Sequence, residues 1–440
     1  NWNGGGTPVA IRRSVSPWSG VAMPGKTANF DVEKGLIGRT HAAGKQFFIS
    51  IGGWTGSVPF IKMVASSSAR TRFVKDCMSL MRPFAQGGYD LDGIDLDWEY
   101  PGDTHSYQNQ NGTVTHCGTA QDKQNFMALL KELRDSIDIY LPGKLLTAAL
   151  PCDSDKVVTG YDVTLLNTYL DELNLMTYDF FGEWNNPPVC DHHTGLFSSG
   201  NPGIDTKWNI AAACSLYVKL GVDPSKINIG LAFYGRAVSG GKKPGDRFTG
   251  GYSWADGVQG EYAANYFQIA YEMSQGKWSR GWDEKAKSVF AYNNNGYISF
   301  DDTLSIQYKC QYVKDAGFNG AIVWDMWGDW MADGSTPLLD KASKEFSTPV
   351  NVFVAGRATK QELKIDYNSN SGNILFTVKG LNGKKVAMDI FDLGGKHLAS
   401  LMQNGNCQFT LSGNRRLSGS YIAVLKDGKK IVSNRVLVLN

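Results

Sequence analysis

Over the first 350 residues, short apolar runs alternate with longer stretches in which apolar positions recur at helical spacing. The runs at 47–53, 91–100, 145–151, 173–179, 227–235 and 321–329 read as strands, and 69–83, 122–139, 208–220 and 305–316 read as helices. Strands this apolar, separated by helices, predict an α/β fold with a parallel sheet covered by helices. The gap between residues 235 and 321 is too long for one strand–helix unit and carries aromatic, strand-like pieces. An α+β insertion is therefore expected over about 237–318. Beyond residue 350 the pattern changes to short alternating runs at 373–378, 386–391, 421–425 and 431–439, with Asn382-Gly383 and Asp427-Gly428 as turn signals. That pattern predicts a small antiparallel β-sandwich over 350–440, behind a first domain of 1–349.

Composition sharpens the boundary. The chain has 440 residues, and all 12 tryptophans lie at or before Trp330. Residues 351–440 hold 13 Lys and Arg against 5 Asp and Glu, while the whole chain carries a net charge of only +2. Near-neutrality removes a general electrostatic case for nucleic acid or an anionic membrane as partner. No apolar run approaches the roughly 18–20 residues of a membrane span. The seven cysteines (77, 117, 152, 190, 214, 310, 407) show no metal-ligand spacing, and His192–His193 is no better. No metal or cofactor is implied. Incidental, mostly reduced thiols are favoured over one or two loop disulfides. The 50 glycines and 12 tryptophans suit a loop-built, aromatic-lined site for a flat, hydroxyl-rich ligand such as sugar.

The chemistry concentrates in residues 92–101, where Asp95, Asp97 and Glu99 alternate with Ile94, Leu96 and Trp98. Residues two apart on a strand share a face, so the three carboxylates line one side and the apolar residues point toward covering helices. Carboxylates crowded on an inner face raise the proton affinity of at least one member. Glu99 lies nearest the strand's C-terminal end, where parallel barrels open their sites, and is the natural general acid. A structural acid cluster or a Mg²⁺ or Ca²⁺ site are the competing readings. Collinear acids encircle a hard cation poorly.

These residues resemble the DGxDxDxE signature of glycoside hydrolase family 18, the chitinases, through Asp92, Asp95, Asp97 and Glu99. Ser50 to Trp54 resembles the family's SxGG strand, and Met176-Thr177-Tyr178-Asp179 its MxYD strand. Phe233 to Arg236 and Val323-Trp324 resemble the seventh and eighth strands. The resemblance implies a (β/α)8 TIM barrel with the insertion between strands seven and eight. It implies hydrolysis of β-1,4 bonds between N-acetylglucosamine units in chitin and chito-oligosaccharides, without a cofactor. Family 18 uses the substrate's own acetamido oxygen as nucleophile. Glu99 would then protonate the leaving oxygen, Asp97 orient the acetamido group, and Asp95 share the proton of Asp97. Tyr178 would donate to the acetamido oxygen and Asp179 bond the distorted sugar. Met176 would pack beneath the site and Trp324 floor the sugar ring. Trp54 and Trp184 would stack on the leaving-group side. Arg236 would bond either sugar hydroxyls or a barrel carboxylate, and Trp98 and Tyr100 would pack the barrel wall. An endo-β-N-acetylglucosaminidase and a non-hydrolytic chitinase-like lectin are the alternatives. The insertion and MxYD motif favour chitin over the first, and Glu99 speaks against the second.

Only six barrel strands are legible. Residues 1–31 read as the loop after the family's second strand, so the chain is expected to open after strand two, as a gene fragment would. It begins Asn1-Trp2-Asn3, with no signal peptide. The segments around 390–396 and 417–421 are similar to bacterial C-terminal secretion-sorting domains. That likeness implies a secreted or cell-surface protein that engages a secretion system. A chitin-binding module is the rival reading of the tail, which lacks tryptophan.

Overall fold

The structure is a computed structural model. It describes residues 36–347, apart from 84–85, 87, 105, 110–111, 116–117 and 255–262, and the strands between 362 and 439. The expectation that the chain opens after the second barrel strand falls on the first 35 residues and lies outside the described residues. The chain divides into two compact units between Ala342 and Ser343.

The first unit runs α1 (Leu36–Ala42), β1 (Phe48–Gly52), α2 (Val58–Ala65), α3 (Ser67–Met81) and β2 (Gly93–Asp97). A hairpin follows, β3 (Ser106–Asn109) and β4 (Gly112–Thr115), then the long helix α4 (Asp122–Tyr140). Next come β5 (Leu145–Leu150), α5 (Ser154–Gly160), α6 (Val163–Tyr169), β6 (Glu172–Leu175), α7 (Ile210–Lys219) and β7 (Ile227–Ala232). A second group comprises β8 (Tyr234–Ser239), β9 (Gly250–Gly251), β10 (Ala263–Asn265), α8 (Tyr266–Ser274), β11 (Ser279–Asp283), β12 (Ser288–Tyr292) and β13 (Gly296–Phe300). Helix α9 (Thr303–Ala316) and β14 (Gly320–Trp324) complete the run, and α10 (Pro337–Ser347) carries the chain across the boundary.

Six strands pair in parallel in the order β1-β2-β5-β6-β7-β14, a curled half-barrel of the α/β TIM class. Four lie within the apolar runs of the sequence, and β6 and β14 begin one residue before theirs. Along β2 and just beyond, Ile94, Leu96 and Trp98 are fully or almost fully buried, while Asp95, Asp97 and Glu99 are only partly so. Trp98 stacks on Phe60 of α2 and meets Phe126 of α4 edge-on, each with ring centroids 5.5 Å apart. Helix α4 buries Phe126, Leu129, Leu130, Leu133 and Ile137 along one stripe. Each such side chain contributes roughly 1.5–3 kcal/mol. This apolar layer fixes the back of β2, so its acid face is turned to the barrel interior.

The apolar run at 227–235 serves two sheets. After β7 the Phe233 N–H donates to the Trp324 carbonyl at 2.8 Å, and the chain passes directly into β8. That strand joins an antiparallel sheet ordered β10-β8-β13-β12-β11, with β9 beside β8. Its core includes Trp278, Val289, Ile298 and Phe300. The antiparallel sheet ends at Phe300, and α9 is the crossover helix that returns the chain to β14. Asp302 caps α9 through the Leu304 and Ser305 N–H groups, and the Ser305 hydroxyl bonds back to the Asp302 N–H.

The second unit holds two antiparallel sheets. One is β15 (Glu362–Asn368), β16 (Asn373–Lys379) and β19 (Cys407–Leu411), in that order. The other follows the order β18 (His397–Asn404), β17 (Lys385–Asp392), β20 (Gly419–Asp427), β21 (Lys430–Leu439). Among the described residues, no helix is long and apolar enough to cross a membrane.

Candidate active site

The carboxylate row stands at the C-terminal rim of β2, and neighbouring strands hold it in place. Asp95 accepts from the Ser50 hydroxyl on β1 and the Thr147 hydroxyl on β5, both at 2.6 Å, and from the Asn174 amide on β6 at 3.0 Å. Asn174 in turn accepts from Asn228 of β7 at 2.9 Å, and Asn228 accepts from Asn319 at 3.1 Å. A polar ladder thus crosses the barrel interior and points donors at Asp95.

Asp97, next up the strand, has a quite different environment. Its Oδ1 is buried with no hydrogen-bond partner among the described residues. Burial first, then the charges of Glu99 and Asp95, hold its proton well above the usual carboxylate range. Glu99 is pushed up to about 7, mainly by burial and further by the charge of Asp179. The neighbouring Tyr100 hydroxyl and the charge of Lys156 act in the opposite direction. Groups coupled this closely titrate together rather than singly.

The backbone at Glu99 is fixed from β1. The Glu99 N–H donates to the Ser57 hydroxyl at 2.8 Å, and that hydroxyl donates to the Gly53 carbonyl at 2.8 Å. Ser57 is the N-cap of α2 but makes no side-chain cap bond, because its oxygen serves Glu99 instead. Gly52 has φ +126°, and a Cβ there would sit 1.9 Å from the Asp97 carbonyl oxygen. Only glycine lets β1 close on β2 at this point.

Beyond β6, Met176 is half-buried, and its N–H bonds the Leu150 carbonyl at 3.0 Å. The Tyr178 ring lies on Gly230 of β7, where a Cβ would come within 2.6 Å of it. Its ring centroid is 6.1 Å from that of Tyr234, and burial and the charges of Asp97, Asp179 and Glu99 raise its phenol. Asp179 adopts φ +58°. Arg236 grips it with two bonds, Nε to Oδ1 at 2.7 Å and Nη2 to Oδ2 at 2.8 Å, and the Tyr234 hydroxyl adds a third at 2.7 Å. The Arg236 guanidinium and these bonds, with His193, hold the Asp179 carboxyl far below the usual range. Of the two roles open to Arg236, the structure has the carboxylate pairing. The guanidinium also lies 5.1 Å from the centroid of the Trp184 ring, which is half exposed.

Trp54 and Trp324 stand at the ends of β1 and β14, the two edges of the described sheet, and both are exposed. The structure thus gathers Asp95, Asp97, Glu99 and Tyr178 in one electrostatic group, and Asp179, Arg236 and Trp184 in another linked to it through Glu99. Trp98 packs the wall as expected. Tyr100 is half-buried, with Lys156 Nζ 4.3 Å from its ring centroid. Ser57, Asn174, Tyr234 and Lys156 escaped the sequence reading. Their partners lie far off in the chain, and no local pattern marks them. Four cysteines (77, 152, 190, 214) are buried free thiols, and Cys310 is buried as well. Among the described residues, no three His, Cys, Asp or Glu side chains converge as metal ligands do.

A row of half-buried carboxyls at the C-terminal rim of a parallel barrel, flanked by exposed indoles, defines a glycosidase-type site. The chain belongs to glycosyl hydrolases family 18, whose model matches residues 31–329. It is 33% identical over 313 residues to mouse chitotriosidase-1, covering 68% of this chain and 63% of that protein. It is 30% identical over 370 residues to chitinase A1 of Niallia circulans, covering 78% and 50% respectively. Among solved structures, the Ostrinia furnacalis group IV chitinase in complex with allosamidin superposes with a TM-score of 0.64 at 26% identity. That match covers 73% of this chain and 84% of that one. The chain therefore spans about half to just under two thirds of these curated relatives' length.

Proposed function

We propose that this chain is the catalytic portion of a chitinase that cleaves β-1,4 bonds between N-acetylglucosamine units with retention, using the substrate's acetamido group as nucleophile. The observation that carries the reading is Glu99. It is a buried carboxyl whose proton is held up to about 7, at the rim of β2 and beside two further carboxyls. A glutamic acid protonated near neutral pH is suited to donate to the leaving glycosidic oxygen and then, as carboxylate, to draw a proton from water. The orphaned Asp97 Oδ1 supports a place for the acetamido N–H, since a buried acceptor without a donor is costly until substrate supplies one. Asp95, which accepts from three donors, would be the fixed neighbour beneath it. Tyr178 would donate to the acetamido oxygen as charge develops.

Asp179, closed by Arg236 and Tyr234, would meet the distorted sugar as a fixed anion. Trp324 would floor that ring, Met176 would pack beneath the site, and Trp54 and Trp184 would stack on the leaving-group side. The chitinase names of the relatives support chitin and chito-oligosaccharides as substrates. The likeness of the tail to sorting domains supports export to the cell surface or beyond.

The test is proton NMR of chito-oligosaccharide hydrolysis. The β-anomer is expected first, and Glu99→Gln is expected to lower turnover by several orders of magnitude while retaining binding. Early α-anomer would exclude the acetamido mechanism, and undiminished hydrolysis by the variant would exclude Glu99 as the acid.

A further inference from the structure

Helix α5 lies directly against the turn that carries the acid. A Cβ on Gly160, its last residue, would approach the Pro101 carbonyl oxygen to 2.8 Å, so the end of the helix sits directly on Pro101. Tyr161, the next residue, is buried and donates its hydroxyl to the Trp98 carbonyl at 3.4 Å. The helix is thus fastened on both sides of Glu99. From it Lys156 reaches back over the same turn. Its Nζ lies 4.3 Å from the centroid of the Tyr100 ring and 3.6 Å from Asp103 Oδ2, and its side chain is 30% exposed. Asp103 is buried, and its N–H bonds the Tyr100 carbonyl at 3.1 Å, so the anchor for the ammonium belongs to the acid's own turn.

We propose that Lys156 is a positioning residue for Glu99, holding the Tyr100 ring and Asp103 of the turn that carries the acid and setting a positive charge beside that turn. A cation on the face of a phenol draws electron density from the ring and makes its hydroxyl a stronger donor. That hydroxyl belongs to the residue next to Glu99, and it lowers the proton affinity of the Glu99 carboxyl. The other groups facing Glu99 are Asp97 and Asp95 from its own strand, Tyr100 and Asp103 from its turn, and Tyr161 behind α5. From beyond β6 come Tyr178 and Asp179, the latter with Arg236, Tyr234 and His193 around it. Arg236 directs its charge into a two-pronged bond with Asp179, whereas the charge of Lys156 acts on Glu99 itself. Burial and Asp179 favour the neutral acid, and Lys156 with Tyr100 limits how far they do so. The expected result is an acid that gives up its proton within the working range and still recovers one from water. The inference rests on the reading of Glu99 as the acid only for its catalytic consequence. Its effect on Glu99 is measurable without turnover.

The experiment compares the chain with Lys156→Met, which keeps the stem over Tyr100 and removes the charge, and with Lys156→Arg, which keeps both. Infrared difference titration follows the carboxyl C=O band that disappears in Glu99→Gln. Its midpoint is expected to rise by about half a pH unit in Lys156→Met, allowing for the solvent-screened position of the ammonium, and to return in Lys156→Arg. The alkaline limb of kcat/KM for an aryl chito-oligoside should move upward by the same amount. An unmoved midpoint in Lys156→Met, or a loss of rate equal at every pH with an unmoved limb, overturns the proposal. If the natural chain hydrolyses nothing, the reading of the site as a glycosidase fails, and the infrared midpoint still decides the role of Lys156.

Discussion

Replacing Glu99 by Gln should stabilise the first unit, and by an amount that depends on pH. In the folded chain the carboxyl holds its proton up to about 7, against 4.5 for an ordinary glutamate. Below about pH 4.5 both folded and unfolded chains are protonated there, so the contribution to stability is fully present. Between the two values the folded chain binds the proton and the unfolded chain does not, so stability falls as pH rises through this window. Above about 7 both are ionised and the loss is complete. The gap of about 2.5 between the two values corresponds to roughly 3 kcal/mol. Gln is neutral throughout and escapes the loss. Its lost hydrogen bonds change the absolute stability but not the trend with pH. Asp97, pushed up partly by Glu99, is relieved in the same variant, which acts in the same direction. Urea unfolding at about pH 4 and about pH 8, followed by tryptophan fluorescence, reads the effect. All 12 tryptophans lie at or before Trp330, so the signal reports the first unit and not the tail. The advantage of the variant should grow by about 3 kcal/mol between the two conditions. Parallel pH curves for the two proteins would show that burial does not hold the Glu99 proton.

Gly230→Ala places a methyl group 2.6 Å from the Tyr178 ring and 2.9 Å from the Thr177 nitrogen. It should cost about 1–3 kcal/mol in stability and, by displacing Tyr178, about 10²-fold in kcat on a chito-oligosaccharide, as urea unfolding and steady-state rates would show. Lys309 is fully buried, donating to Asp301 at 2.6 Å and Thr194 at 2.7 Å. Lys309→Met leaves the buried Asp301 carboxyl without its cation, and should destabilise by about 3–5 kcal/mol in calorimetry. The double variant with Asp301→Asn should recover part of that loss.

What could be read in the sequence is what a single strand encodes. Asp95, Asp97 and Glu99 alternate with Ile94, Leu96 and Trp98, and that alternation alone assigns the two faces of β2. The parallel class follows from the six apolar runs in the same way. The ends of elements were less legible. The run at 227–235 is continuously apolar because β7 and β8 are joined through Phe233, and apolarity cannot mark where one sheet stops and another begins. The short helices α2, α5 and α6 span seven or eight residues and carry too few turns to display a period.

The setting of the site was least legible, for a physical reason. Asp97 and Asp95 are the same residue type two positions apart. One is saturated by Ser50, Thr147 and Asn174 from three other strands, while the other keeps an oxygen with no donor among the described residues. That difference separates their chemistry, and it is made by residues up to 79 positions away. Asp179 shows the same dependence. Alone it is one more acid near Glu99, but Arg236, 57 residues on, converts it into a fixed anion that helps hold the Glu99 proton. The motif therefore supplies the carboxyls, and the barrel, by bringing distant donors to some and withholding them from others, sets which one carries a proton.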